Sequence, residues 1–420
     1  MRKFFCMSTF DDFFHIIYYI MAKDFWKGKL MQIHTVKRGQ TVFHIARNYQ
    51  TSPVKIIENN GLVRPDALMA GEELLICMPS RSYTVRGTET LGEIAERFSV
   101  KKSDLLRYNP ELHGTDALRP SMSLAIKYGS AEYGTASSLG FVRQETPIEA
   151  IREALPYLSY FVFDGAISNG EEIQYKDEHS EGVRLVRREK KIPLLRIAGR
   201  EIKECFYQSQ ATKEALIRRM IDLSLRFGFY GIVMPPDIFS LPSRREKDAF
   251  LLQLRKQMLG SDLILFCECN GLGEFGDFAD ANIILPSYLI EKGDYDNEQK
   301  IQHASEFYET QKTFLGLPTY ALDNEMVISK QRMREIAYQT KKEYHHSDDE
   351  VYFDYTRYAS GKREQRRVSA MSLAGLKRMF AYMSEYGFMG CAVEVDYFVP
   401  QAKMMLALLF CGVEYAFGFS

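Results

Sequence analysis

Apolar and polar positions in the first third of the chain repeat. The alternating run His34-Thr35-Val36 returns as Tyr83-Thr84-Val85, 49 positions on. The offset persists: Thr41 matches Thr90, Ile45-Ala46 matches Ile94-Ala95, Tyr49 matches Phe98, Ile56-Ile57 matches Leu105-Leu106, and Asn60 matches Asn109. After one inserted residue the offset is 50, carrying Asp66-Ala67-Leu68 onto Asp116-Ala117-Leu118, Leu74 onto Leu124 and Ile76 onto Ile126. Self-similarity sustained in this way marks two copies of one supersecondary unit. Within each copy the apolar period passes from strand-like to helical and back. The prediction is strand, helix, helix, strand, with Thr41 and Thr90 as N-caps.

Small and polar residues without apolar periodicity follow, from Gly129 to Ser138, and read as a linker. Beyond them β-rich runs alternate with helical stretches. Strands are predicted at Leu139–Val142, Leu158–Phe163, Ile192–Ile197, Gly231–Met234, Leu263–Cys267, Ala281–Leu285, Thr313–Leu317 and Met389–Val395. The clearest helices are Thr212–Arg226, Ser243–Met258, Asn297–Gln311 and Ser372–Tyr386, the last ending at Gly387. Eight strands with intervening helices predict a (β/α)8 barrel. The fold class is therefore multidomain, α+β in two small βααβ modules (31–79 and 81–128) and α/β in a barrel (139–420), with 129–138 between them.

Composition changes this picture little. Of 420 residues, 46% are apolar and 26% charged, as in folded globular chains. Lys and Arg total 54 against 55 acids, a net charge of -1, which leaves no electrostatic excess to hold a nucleic acid. Seven cysteines are few, and Cys267 and Cys269 alternate along a predicted strand as reduced packing residues. No apolar run reaches transmembrane length, Met404–Phe410 included. Residues 1–30 carry no recognisable signal peptide, because Asp11, Asp12 and His15 interrupt the apolar stretch. They read as an extension outside any domain, with Met31 as an alternative start and an interfacial anchor as the competing reading. His345-His346 with Asp348-Asp349-Glu350 reads as a solvated loop in an insertion before the eighth strand, so neither metal nor cofactor is expected.

The repeat resembles the LysM family, which runs Tyr-Thr-Val, a Gly-Asp-Thr-Leu turn, Ile-Ala, and an Asn closing the second helix. The resemblance implies that an N-acetylglucosamine polymer lies between the turn after the first strand and the loop after the second helix. In the first copy this means Gly39, Gln40, Thr41 and Val42 with Asn60, Gly61 and Leu62. In the second it means Thr88, Glu89, Thr90 and Leu91 with Pro110, Glu111 and Leu112, where Thr88 replaces the usual turn glycine and Gly87 sits one place early.

The barrel resembles family 18 glycoside hydrolases, and among them the spore-coat and spore-germination glycosidases of endospore-forming bacteria. Leu158-Ser159-Tyr160-Phe161, Phe314-Leu315-Gly316-Leu317-Pro318-Thr319-Tyr320 and Tyr386-Gly387-Phe388-Met389-Gly390 carry the likeness. That family's strand-four motif, Asp-Gly-x-x-x-Asp-x-Glu, corresponds here to Tyr230-Gly231-Ile232-Val233-Met234-Pro235-Pro236-Asp237. Pro235 replaces the aspartate that positions the substrate's N-acetyl oxygen. Asp237 stands in for the acid, one methylene shorter. Glu394 falls where the family's sugar-stacking tryptophan is expected. Tyr160, Tyr288 and Tyr320 are the saccharide-binding candidates, and Glu268, Glu394 and Asp396 are alternative catalytic acids at strand ends. The expectation is a peptidoglycan-binding protein made in the cytoplasm and associated with the spore coat, cortex or wall, its barrel a degenerate hydrolase, with coat proteins as possible partners. The alternatives are an active N-acetylglucosaminidase using Asp237 or a relocated acid pair, and a structural coat protein.

Overall fold

The computed structural model describes residues 30–168, 172–174, 178–198, 209–235, 244–269, 278–286, 297–359 and 362–410. In the first module β1 (Met31–Thr35) pairs antiparallel with β2 (Glu73–Cys77), enclosing α1 (Val42–Tyr49) and α2 (Pro53–Asn60). The second repeats it with β3 (Arg81–Thr84), α3 (Leu91–Phe98), α4 (Lys102–Tyr108) and β4 (Ser123–Lys127), and adds a 3-10 turn at Pro110–Leu112. The repeated apolar positions are the cores: Ile45, Ile56, Leu74 and Ile76 in one, Ile94, Leu105, Leu124 and Ile126 in the other. Thr41 and Thr90 cap their helices, accepting from the backbone N–H of His44 and Glu93.

Asn60 and Asn109 perform one mechanical task. Each buried side-chain amide donates to a carbonyl of its own helix, Ile56 or Leu105, and to one on the closing strand, Leu75 or Ala125. Each side-chain oxygen accepts the N–H of that same strand residue, at 2.7 Å in both copies.

The eight barrel strands are those the alternation predicts. They are β5 (Ser137–Val142), β6 (Tyr160–Ser168), β8 (Ile192–Ala198), β9 (Gly231–Met234), β10 (Ile264–Cys269), β11 (Ala281–Ile284), β12 (Thr313–Gly316) and β18 (Gly390–Glu394). All neighbours are parallel, and β18 pairs with β5 to close the ring; a short β7 (Glu172–Gln174) adds antiparallel to β6. Inside the ring Leu139, Tyr160, Val162, Leu194, Val233, Phe266, Ile283 and Phe314 pack as layers. Outside it run α5 (Ile148–Ala154), α6 (Glu178–Arg188), α7 (Gln210–Phe227), α8 (Arg244–Met258) and α9 (Asn297–Phe307). Cys267 and Cys269 are buried thiols.

An insertion between β12 and β18 folds as a unit. It holds β13 (Ala321–Asp323), β14 (Met326–Ile328), α10 (Lys330–Thr340), β15 (His345–Ser347), β16 (Glu350–Ala359) and β17 (Lys362–Met371), the strands forming one antiparallel sheet. This corrects the loop expected at 345–350, although 345–348 are solvated as expected. His345–Ser347 pairs with β16, and Asp349 is buried, forming an ion pair with Arg378. Two helices complete the chain, α11 (Leu373–Glu385) and α12 (Pro400–Leu409).

Helix α12 explains the apolar run at 404–410. Nine of its ten residues are buried, all but Pro400. It packs against α11 on the barrel side and against α2, α4 and the 3-10 turn of the modules on the other. A helix apolar all round belongs inside a core, and this one is shared between domains. Polar ties surround it. The Tyr157 hydroxyl donates to the Arg107 carbonyl at 3.0 Å, Lys403 pairs with Glu153 at 3.2 Å, and Glu153 also meets His113 at 2.8 Å. Between the modules, buried Lys55 pairs with Glu111 and donates to the side-chain oxygen of Asn109 at 2.8 Å. Gly71 and Gly114, both at positive φ, abut the barrel so closely that a Cβ would lie 2.2 Å from the carbonyl oxygens of Tyr344 and Arg152.

Replacing Asn109 by alanine leaves three buried backbone groups without partners. It is expected to destabilise the modules by about 2–4 kcal/mol, read as a lowered urea midpoint; an unchanged midpoint would refute the stitching role.

Candidate functional site

The carboxyl ends of the barrel strands bring charged side chains from distant sequence together. Asp164 on β6 lies opposite Arg196 on β8 in the parallel register, so both point to the same face. The Arg196 guanidinium donates to Asp164 at 3.2 Å and grips fully buried Glu268 with two bonds of 2.5 and 2.9 Å. Barrel closure joins the ends of β5 and β18. There Arg143 donates to Asp396 at 2.9 Å, and Asp396 also accepts from the Thr146 hydroxyl at 2.9 Å. Arg143 stacks over the Tyr397 ring at 4.8 Å, and Tyr397 meets Tyr320 edge-on at 6.0 Å.

Glu394 sits between these two clusters. Its nearest cation is Arg143, at 3.9 Å. Burial pushes its carboxyl up to about 7; Arg143 and Arg196 oppose the rise, and Asp164 and Asp396 add to it. A carboxyl poised there can exchange a proton at neutral pH. Glu268 and Asp396, the other strand-end alternatives, are each committed to an arginine. Pro235, directly after β9, is buried and offers no donor or charge.

Tyr160 is not a saccharide platform. It is fully buried inside the barrel, with Phe266 and Phe314 at 5.5 and 5.7 Å, because inward positions of a closed eight-stranded ring fill the core. Tyr320 does reach the mouth. Asp237 and Tyr288 lie outside the described residues. Arg143 and Tyr397 are site residues that sequence reading missed. The available signal was that the first and eighth strands are neighbours, which places the residues following each side by side.

In the modules, many residues expected at the sugar turn out to hold the loops. Val42, Leu91 and Leu112 are core, Asn60 is used up by its stitch, and Glu111 is buried against Lys55. Gln40 accepts from the Lys37 N–H at 2.8 Å and bonds His34 at 2.9 Å. Glu89 does the same in the second copy, accepting from the Arg86 N–H, the Tyr83 hydroxyl and Arg97; these bonds hold its carboxyl below the usual range. Gly61 faces Pro400, and Pro110 lines a small cavity shared with Glu153 and Lys403. Gly39, at φ +78°, and Thr88 remain in open turns.

The LysM domain family matches residues 34–76 and 83–127, the two stitched βααβ units. These units are LysM domains. Among curated proteins the chain is 26% identical over 246 residues to YdhD of Bacillus subtilis, described as a sporulation-specific glycosylase, covering 56% of this chain and 57% of that one. The chain thus spans little more than half of that relative. The fold is that of the spore cortex-lytic enzyme SleL of Bacillus cereus, at a TM-score of 0.69 and 17% identity over 92% of this chain and 99% of the other. A chitinase of Chromobacterium violaceum matches 65% of this chain and 99% of its own at a TM-score of 0.54 and 13% identity. The barrel thus shares its fold with SleL and this chitinase, and with SleL the fold match extends over nearly the whole chain, LysM domains included.

In the unfolded chain a glutamate titrates near ~4.3, so between there and about 7 the folded protein binds the extra proton at Glu394. Stability contributed by neutral Glu394 is whole below that window and is lost as pH rises through it. Glu394→Gln should match the wild type in stability at pH 4 and exceed it at pH 8 by on the order of 1 kcal/mol after solvent screening, read as a higher thermal midpoint. A gap that does not widen with pH would rule this out.

Proposed function

We propose that this protein binds wall glycan through its LysM domains and that its barrel holds saccharide without cleaving it. The ligand class is an N-acetylglucosamine polymer, as the LysM likeness implies, and the SleL and YdhD descriptions favour spore peptidoglycan within that class. One observation carries the non-hydrolytic reading: Pro235 ends the fourth strand where the hydrolase motif needs an aspartate. Substrate-assisted cleavage requires that carboxylate to hold the acetamido oxygen and stabilise the cation it forms. Proline can do neither. Two of the neighbouring acids, Asp164 and Glu268, share the guanidinium of Arg196, and Asp396 pairs with Arg143, which leaves a mouth of arginine-bound acids and the Tyr320–Tyr397 edge. Paired charges and aromatic edges suit hydroxyl recognition.

A second reading rests on Glu394, whose raised carboxyl could act as a relocated acid. Its partner base would come from Asp164 or Asp396 after release from arginine.

The full chain is expected to co-sediment with spore-cortex peptidoglycan and with chitin, releasing no reducing ends above the buffer control over a day. Reducing ends that vanish in Glu394→Gln but persist in Asp237→Asn would replace this reading with the relocated acid. Loss in Asp237→Asn alone would instead restore the strand-four acid.

A further inference from the structure

A cleft of about 110 Å³ lies between the first LysM domain and the barrel insertion. One wall is the loop after α2, with Leu62, Leu68 and Met69; the other is α10, with Tyr338 and Gln339, and Tyr344 also lines the space. Nothing in the barrel mouth or in the open LysM turns uses it.

Its walls are fixed. Arg334 on α10 donates to Glu72 at 2.7 Å and to the Asn60 carbonyl at 2.9 Å, joining helix to loop at the back. Arg64 lies over the Tyr338 ring at 4.3 Å, joining them at the front. Arg38 pairs with Glu343 at 2.6 Å, bringing the other LysM loop to the same wall. Most charges pair locally, Arg334 with Glu72 and Glu335 with Arg332 at 2.9 Å, while the Arg64 guanidinium lies over the ring and keeps its charge. The remaining polarity at the rim is the amide of Gln339, the amide of Gln331, which donates to Glu335 at 3.4 Å, and the Arg64 guanidinium. An apolar floor beneath a rim of amides and one ring-stacked guanidinium offers an acetamido sugar both a seat for its methyl and donors for its oxygens. The volume is far below the ~300 Å³ at which pockets enclose a drug-sized ligand. It suits a single unit of a polymer whose remainder runs across the surface.

We propose that the saccharide site of the first LysM domain is composite, with α10 of the barrel insertion as its second wall receiving the N-acetyl face of one sugar unit. This rests on the glycan-binding reading above. It makes Tyr338 and Gln339, which lie outside the LysM domain, specificity residues for the polymer.

The test is photo-crosslinking of the full chain with diazirine-bearing chitotetraose, mapped by mass spectrometry, beside calorimetry with unmodified chitotetraose. Label is expected on 331–344 as well as on 62–69, and Tyr338→Ala should cut the labelling of 62–69 at least fivefold. Ala67→Trp, which fills the cleft, should do the same; if it lacks a cooperative melt, Gln339→Ala takes its place. Label confined to LysM residues, or unchanged in Tyr338→Ala, overturns the composite site while leaving glycan binding intact. Absence of both label and calorimetric binding overturns the glycan-binding reading itself.

Discussion

The burial of helix α12 is the constraint on which the arrangement of this molecule depends. Its apolar surface is too continuous for an ordinary amphipathic helix, so it must be covered on every side. The barrel covers one side, through α11, and the two LysM domains cover the other through α2, α4 and the Pro110–Leu112 turn. Each LysM core is small, and domains of that size gain markedly from a shared interface. Loops of both LysM domains are fixed by the same docking, since Gly61, Gly71 and Gly114 all press on residues of the larger domain.

This arrangement changes what tandem LysM domains mean here. Modules on a free linker gain through effective concentration, which depends on reach. In this chain the linker itself is seated: the Tyr133 N–H donates to the Leu409 carbonyl at 2.8 Å, and Tyr133 bridges to Phe410. The buried Lys55–Glu111 pair joins one domain to the other, and breaking a pair of that kind strands a charge. Glycan bound to the LysM domains would therefore meet a surface of fixed geometry that includes the insertion.

At the barrel mouth the same economy of paired charge prevails. Arg196 and Arg143 occupy places where they bind acids from β6, β10 and the turn after β18, and among the described strand-end acids Glu394 makes the longest such contact, 3.9 Å to Arg143. A partly buried carboxyl whose cation stands off keeps its proton to higher pH, because water stabilises its charge less. The chemistry of the mouth rests on that contrast between one protonatable acid and its arginine-bound neighbours.

Periodicity determined the elements. The 49-residue offset disclosed two βααβ units, and the strand-helix alternation disclosed all eight barrel strands, because both patterns express which face of a local element must leave water. Gln40, Asn60, Glu89 and Glu111 were visible as positions but not as roles, since a polar side chain beside a loop can face a ligand or brace the backbone. Only the fold shows which. Tyr160 was legible as a strand residue, yet whether it crowned the barrel or filled it depended on ring closure. Local order follows from the spacing of apolar residues along the chain. The partner of each charge, the second wall of each cleft and the cover over α12 were decided by tertiary structure, because they join residues that the sequence holds up to some three hundred positions apart.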